Sequence, residues 1–106
     1  MSNELWRKSA LELAEGIRSK KFSSREVIDA HLARIDVVNP KVNALIHVMA
    51  DEARAGADAA DTALAQGGPI GPLHGVPYTV KINIDVAGQA TTQGITALAE
   101  AIPAID

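Results

Sequence analysis

Three features of the chain predict an α/β fold. Two runs with helical spacing each open on a capping-box pattern, and two short aliphatic runs have the length and flanks of strands. The elements follow in the order helix, helix, strand, helix, strand. That order lays helices against a sheet, and so small a sheet needs further strands to be stable. The expectation is a helical arm over residues 1–40, followed by residues 41–106 as the start of an α/β core. Together they are expected to be the opening of a larger α/β domain, because the chain ends within an apolar stretch, residues 102–106, that contains no stop to a fold.

The first helix is announced by Ser9 and Glu12, spaced so that each side chain satisfies the other's free amide. Leu11, Leu13, Ala14 and Ile17 then supply an apolar stripe, which ends near Lys20 and Lys21. Ser23 and Glu26 repeat the pattern. The second helix carries Val27, Ile28, Ala30, Leu32, Ile35 and Val38, and is expected to stop before Asn39-Pro40, because proline disfavours helix in the residue preceding it. Residues 43–49 (NALIHVM) read as a short strand. Residues 51–65 are alanine-rich and helical, with Asp51 as the expected N-cap and Gly56 as a weak point of about 1 kcal/mol relative to alanine. Ala53, Ala57 and Ala60 allow close approach to a neighbour, and Gly67-Gly68-Pro69 ends the helix. After Asp85 the run VAGQATTQG is loop-like, and residues 95–101 are expected to restart a helix.

Composition removes several function classes. The 106 residues carry a formal charge of −3 with both signs dispersed, which offers no electrostatic footprint for nucleic acid or an anionic membrane. The one dense basic cluster, Arg18, Lys20, Lys21 and Arg25, is explained as a solvated helix end. Without cysteine there is no disulfide, thiolate metal site or cysteine nucleophile. No signal peptide or membrane-length apolar run is present, so the default expectation is a soluble cytoplasmic protein. Nearly half of the residues are hydrophobic, but only Trp6, Phe22 and Tyr78 are aromatic, so a self-sufficient core is not expected.

The chemically informative stretch is residues 71–94, GPLHGVPYTVKINIDVAGQATTQG. In a strand, Val76, Tyr78, Val80, Ile82 and Ile84 share one face, with Pro77, Thr79, Lys81, Asn83 and Asp85 on the other. Such a strand presents a single amine at a fixed position, and a held, desolvated lysine can lose its proton and act as a base. On spacing alone, an ordinary half-exposed strand explains the pattern more simply.

The stretch resembles the lysine-bearing part of the amidase signature family, serine hydrolases that cleave carboxamides. The matching residues are GPLHGVP from Gly71, then Val80-Lys81, then Asn83-Ile84-Asp85-Val86-Ala87-Gly88, then Thr91-Thr92-Gln93-Gly94. The preceding residues also resemble the family's amino-terminal region. The resemblance implies a serine–serine–lysine site in which neutral Lys81 is the catalytic base, with a small carboxamide as substrate. No metal or organic cofactor is implied. For that role the amine has to be kept neutral near working pH by burial and by neighbouring polarity or positive charge.

The family's two serines belong to a glycine- and serine-rich segment that these residues do not contain. Ser2, Ser9, Ser19, Ser23 and Ser24 all lie in the helical region, where capping and surface roles explain them. Two departures stand out: Ile82 follows the lysine where many members carry an acid, and Ile95 follows the Thr-Thr-Gln-Gly phrase where serine is frequent. His31, His47 and His74 lack metal-ligand spacing, and the glycines over residues 67–75 lack the lysine–hydroxyl pair of a phosphate loop. Thr91 and Thr92 are candidates for a loop near the site or for loop caps. Asp36, Asp51, Asp58 and Asp61 are explained as helix caps or solvated faces.

The leading reading is the opening portion of an amide hydrolase, inactive alone. A close alternative is the amidase subunit of a tRNA-dependent amidotransferase. A reading of a different class is a non-catalytic module whose unpaired edges bind a partner or self-associate into a homo-oligomer.

Overall fold

The computed structural model describes residues 4–91 and 100–104. Its architecture is a short 3-10 turn, Leu5–Arg7, and three helices: α1 (Ala10–Arg18), α2 (Ser24–Val42) and α3 (Ala50–Ala65). Among the described residues there is no strand.

Both capping boxes form as spaced. Ser9 Oγ accepts from the Glu12 amide at 3.1 Å while Glu12 returns the bond to the Ser9 amide at 2.9 Å. Ser23 and Glu26 do the same at 3.0 and 3.4 Å. Helix α1 stops at Lys20, which adopts a left-handed φ of 61°. The chain then turns back so that the amides of Lys21 and Phe22 donate to the Gly16 carbonyl. That reversal drops the Phe22 ring onto Gly16, where a Cβ would lie only 2.1 Å from the ring's Cζ. Gly16 is therefore glycine because an aromatic ring occupies the space of its side chain.

Helix α2 overruns its expected stop: Pro40 sits inside its last turn and the helix continues to Val42. Proline costs a helix the hydrogen bond to the carbonyl four residues back. Here that carbonyl belongs to exposed Asp36, so solvent can replace the lost donor. The termination falls instead on Asn43, left-handed at φ 48°, ψ 41°. Asn39 then binds both backbone groups of Leu45, accepting from its amide at 2.9 Å and donating to its carbonyl at 2.8 Å.

Helix α3 begins one residue earlier than the spacing predicts, and its N-cap is Met49, which makes no side-chain cap bond. Asp51 lies in the first turn together with Glu52, where a negative charge meets the helix dipole without capping it. Gly67, at φ 76°, closes the helix as expected.

Two apolar clusters hold the helices together. Leu5, Leu13, Ile17, Phe22 and Val27 form one, with Ala30, Leu64 and Val76 packed against it. Ile28, Leu32 and Ala57 form the other, flanked by Ile35, Ala50 and Ala53, so the small residues of α3 do permit close approach to α2. Across the same interface Asp58, Arg25, Asp29 and Arg54 form a ladder of ion pairs at 2.8–3.1 Å. Each partner is 40–57% exposed, so the ladder aligns the helices more than it stabilises them.

The two expected strands are irregular segments, with no ladder among the described residues. Residues 43–49 connect α2 to α3, and the stretch around Lys81 has no ladder. A strand exists only when its amides and carbonyls pair with a neighbour, and the described residues offer none. No described helix is long and apolar enough to cross a membrane.

Candidate functional site

The segment that carries Lys81 is mounted on the helices by residues 71–77. His74 Nε2 donates to the Ala60 carbonyl of α3 at 2.8 Å, which assigns the proton to that ring nitrogen. Ser24 Oγ, at the first position of α2, donates to the Gly75 carbonyl at 2.7 Å. Val76 packs against the first apolar cluster. Arg18 adds a long 3.4 Å contact to the Pro72 carbonyl. The turn itself is closed by the His74 amide on Gly71 and the Val76 amide on Leu73.

Gly75 is required at the centre of this arrangement for two reasons. Its φ of 79° lies in the left-handed region, and an added Cβ would stand 3.1 Å from Ser24 Cβ and Oγ and 3.3 Å from Ile17 Cδ1. Ser24 is itself only 1% exposed. Its amide and that of Arg25 donate to the two oxygens of Asp61 on α3, at 2.7 and 3.0 Å. With the Glu26 amide on the Ser23 hydroxyl, the first-turn amides of α2 are thus all satisfied, two of them from another helix.

Beyond the turn only part of the expected apolar face is covered: Val76 and Ile82 are half-buried and the other members are exposed. Tyr78 is 85% exposed, Ile84 is 58% exposed and Val80 is also exposed. The Ile84 amide donates to the Lys81 carbonyl at 2.9 Å, so the chain makes a turn at the lysine. Lys81 is exposed, and among the described residues no side chain is hydrogen-bonded or ion-paired to its amine. Downstream, the buried Thr91 hydroxyl donates to Asp85 at 2.7 Å. The Gly88 and Thr91 amides bond to the carbonyls of Pro103 and Ala101, folding this loop back on itself. Thr91 is therefore a loop clamp in this structure; Thr92 and the expected helix over residues 95–101 fall largely outside the described residues.

Several of the remaining candidates have structural partners. His31 Nδ1 donates to the Val27 carbonyl within α2, and His47 is exposed. Among the described residues no three metal-ligating side chains gather. Ser9 and Ser23 are caps, Ser19 donates to the Gly16 carbonyl, and Ser2 is outside the described residues. Sequence reasoning missed Ser24 and Asp61 as cross-helix links, since both resemble ordinary capping or surface residues. The doublet Ser23-Ser24 was the signal that could have found them: one serine completes the cap, and the second is left facing inward.

Among the described residues, three charged groups are shifted. Hydrogen bonds to the backbone and side chain of Ser9 hold the Glu12 carboxyl below its ordinary value. Partial desolvation works to raise Asp29, but hydrogen bonds from Arg54 and Arg25 outweigh it and hold the carboxyl low. The Asp58 hydrogen bond raises Arg25 further.

Comparison with known proteins places the chain. Residues 26–106 match the family model described as Amidase. An indoleacetamide hydrolase of Bradyrhizobium diazoefficiens is 43% identical over 88% of this chain and 18% of its own length. The A-type subunit of a glutamyl-tRNA(Gln) amidotransferase of Granulibacter bethesdensis is 45% identical over 87% of this chain and 18% of its own. An acylamidase of Rhodococcus erythropolis is 38% identical over 89% of this chain and 20% of its own. A solved structure, from a vestigial protein complex described as revealing the origins of an s-triazine catabolic enzyme, superposes with a TM-score of 0.89 and 34% identity. It matches 93% of this chain and 22% of that one. The chain thus spans about a fifth of the length of the relatives it matches. With its lysine segment inside the matched range, the chain belongs to the amidase family.

Proposed function

We propose that this chain supplies the lysine-bearing portion of a serine-dependent amide hydrolase, with Lys81 as its catalytic base. The observation that carries the reading is the position of Lys81 within GVPYTVKINIDVAG, inside the residues that match the amidase family. In the reaction, a serine oxygen attacks the carboxamide carbon while its proton passes, through a second serine, to the neutral lysine amine. Collapse of the tetrahedral adduct breaks the C–N bond, and the protonated lysine returns the proton to the departing nitrogen. Water then hydrolyses the ester left on the nucleophile.

The glycine- and serine-rich segment of this scheme is not among these 106 residues, which span about a fifth of the length of the matched relatives, so on this reading these residues do not hydrolyse amides by themselves. Catalysis by Lys81 requires that the amine, exposed here beside exposed Tyr78, Val80 and Ile84, be covered and water excluded from it. The spread of relatives favours two substrate classes equally. Hydrolases and amidotransferase subunits match at 43% and 45% identity, so a free carboxamide and the glutamine side chain are the two candidates.

The test is ammonia release from a carboxamide panel, glutamine included, by the chain in the full length in which it is naturally made. Lys81→Ala should lower kcat by about 10²–10⁴-fold, the usual range for a lost general base. Wild-type hydrolysis by Lys81→Ala would refute the assignment. Absence of hydrolysis in the natural product, with concentration-dependent self-association instead, would favour the interaction-module reading.

A further inference from the structure

We propose that Ser24 and His74 are positioning residues for Lys81, fastening residues 71–77 to α2 and α3 as a rigid mount from which the lysine segment departs. The proposal rests on the reading of Lys81 given above and adds residues that the chemistry itself does not name.

Three independent observations converge on this turn. Its polar contacts reach two different helices, through Ser24 Oγ to the Gly75 carbonyl and His74 Nε2 to the Ala60 carbonyl. Gly75 is held in a left-handed conformation with Ser24 and Ile17 close against it, so the turn has no slack on that side. Val76, the next residue, is packed against the apolar cluster of α1 and α2. Between this turn and the lysine, Tyr78, Thr79 and Val80 are all exposed. The last fixed point before the lysine is thus the turn, and the helices set its place.

Ser24 is unusual among the serines because its hydroxyl is spent on this distant carbonyl while its amide is spent on Asp61. Ser23 already supplies the helix cap, so capping does not account for the Ser24 hydroxyl. Removing it leaves the Gly75 carbonyl without this donor but keeps the capping box intact. His74→Gln can present an N–H near the position of Nε2, whereas His74→Leu cannot.

Two readouts test the proposal in the chain at its natural length. Amide exchange over residues 71–84 should accelerate about 5- to 10-fold in Ser24→Ala, the effect of one lost net hydrogen bond, with α1–α3 still protected. In ammonia-release assays, Ser24→Ala and His74→Leu should lower kcat about 10- to 100-fold per folded molecule, as expected for a base displaced by about an ångström. KM should change much less, the acid limb of the pH–rate profile should move, and His74→Gln should recover most of the rate. A purely structural role would lower the folded fraction and leave the pH profile in place. If Lys81→Ala abolishes hydrolysis while both positioning variants keep wild-type kcat and pH profile, the mount is refuted. If Lys81→Ala stays active, the catalytic reading fails; unchanged exchange in Ser24→Ala refutes the mount independently of any activity.

Discussion

Gly16→Ala sets a local rule against a tertiary contact, and the magnitudes decide between them. By helix propensity alone, alanine at this position in α1 should stabilise the chain by about 1 kcal/mol. The added methyl, however, would stand 2.1 Å from Phe22 Cζ and 2.6 Å from both Cε atoms. Ordinary carbon contacts are about 3.5–4.0 Å, so the ring has to retreat by roughly 1.5 Å. It cannot do so inside the cluster, where Leu13, Ile17 and Val27 are as buried as Phe22 itself. Exposing about a third of a ring that buries roughly 200 Å² costs about 1.7 kcal/mol, and residual overpacking adds about 1 kcal/mol or more. Against the propensity gain the net expectation is a loss of about 2 kcal/mol. Urea unfolding followed by far-ultraviolet circular dichroism measures it. Fluorescence of Trp6, the only tryptophan, separately reports the docking of the amino-terminal turn, because its ring lies 4.1 Å from the Arg34 guanidinium carbon on α2. Pairing the substitution with Phe22→Leu should give less than the sum of the two single losses, since the smaller side chain makes room for the methyl. A stabilised Gly16→Ala protein would refute the packing argument.

Further expectations follow from the α2–α3 interface and the site. Asp61→Ala removes the acceptor of two α2 amides and should cost about 2 kcal/mol in the same unfolding assay, with Asp61→Asn losing about half as much. Equal stability of all three proteins would exclude the cross-helix cap. For Asp29 and Glu12 the folded carboxyls titrate below their ordinary values of 3.8 and 4.5, so an unfolding chain takes up protons first as the pH falls. Their contribution is present above those values and is lost as the pH drops through the folded ones. The urea midpoint should therefore stay level above about pH 5 and decline below it, less steeply in Asp29→Asn. A decline of unchanged slope in that variant would remove Asp29 from the account. At the site, Lys81→Ala should lower kcat by about 10²–10⁴-fold, and Ser24→Ala should slow hydrolysis less, through the geometry of the turn.

What was legible in the amino-acid sequence was whatever closes within a few residues. Ser9 with Glu12, and Ser23 with Glu26, mark their helix starts because the bonds involved span only one turn. Gly67 marks a helix end for the same reason, and the lysine phrase is a contiguous string whose family is recognisable in any conformation. Tertiary structure decided the rest. Pro40 is tolerated in the last turn of α2, where the residue four back, Asp36, is exposed, and the expected strands do not form because among the described residues no neighbour pairs with them. Asp61 and Ser24 look like surface and capping residues until α3 and the Gly75 turn reach them across long stretches of chain. Their bonds join groups far apart in sequence, so no local pattern carries them, and the placement of the lysine segment depends on the packing of the helices that brings those groups within reach.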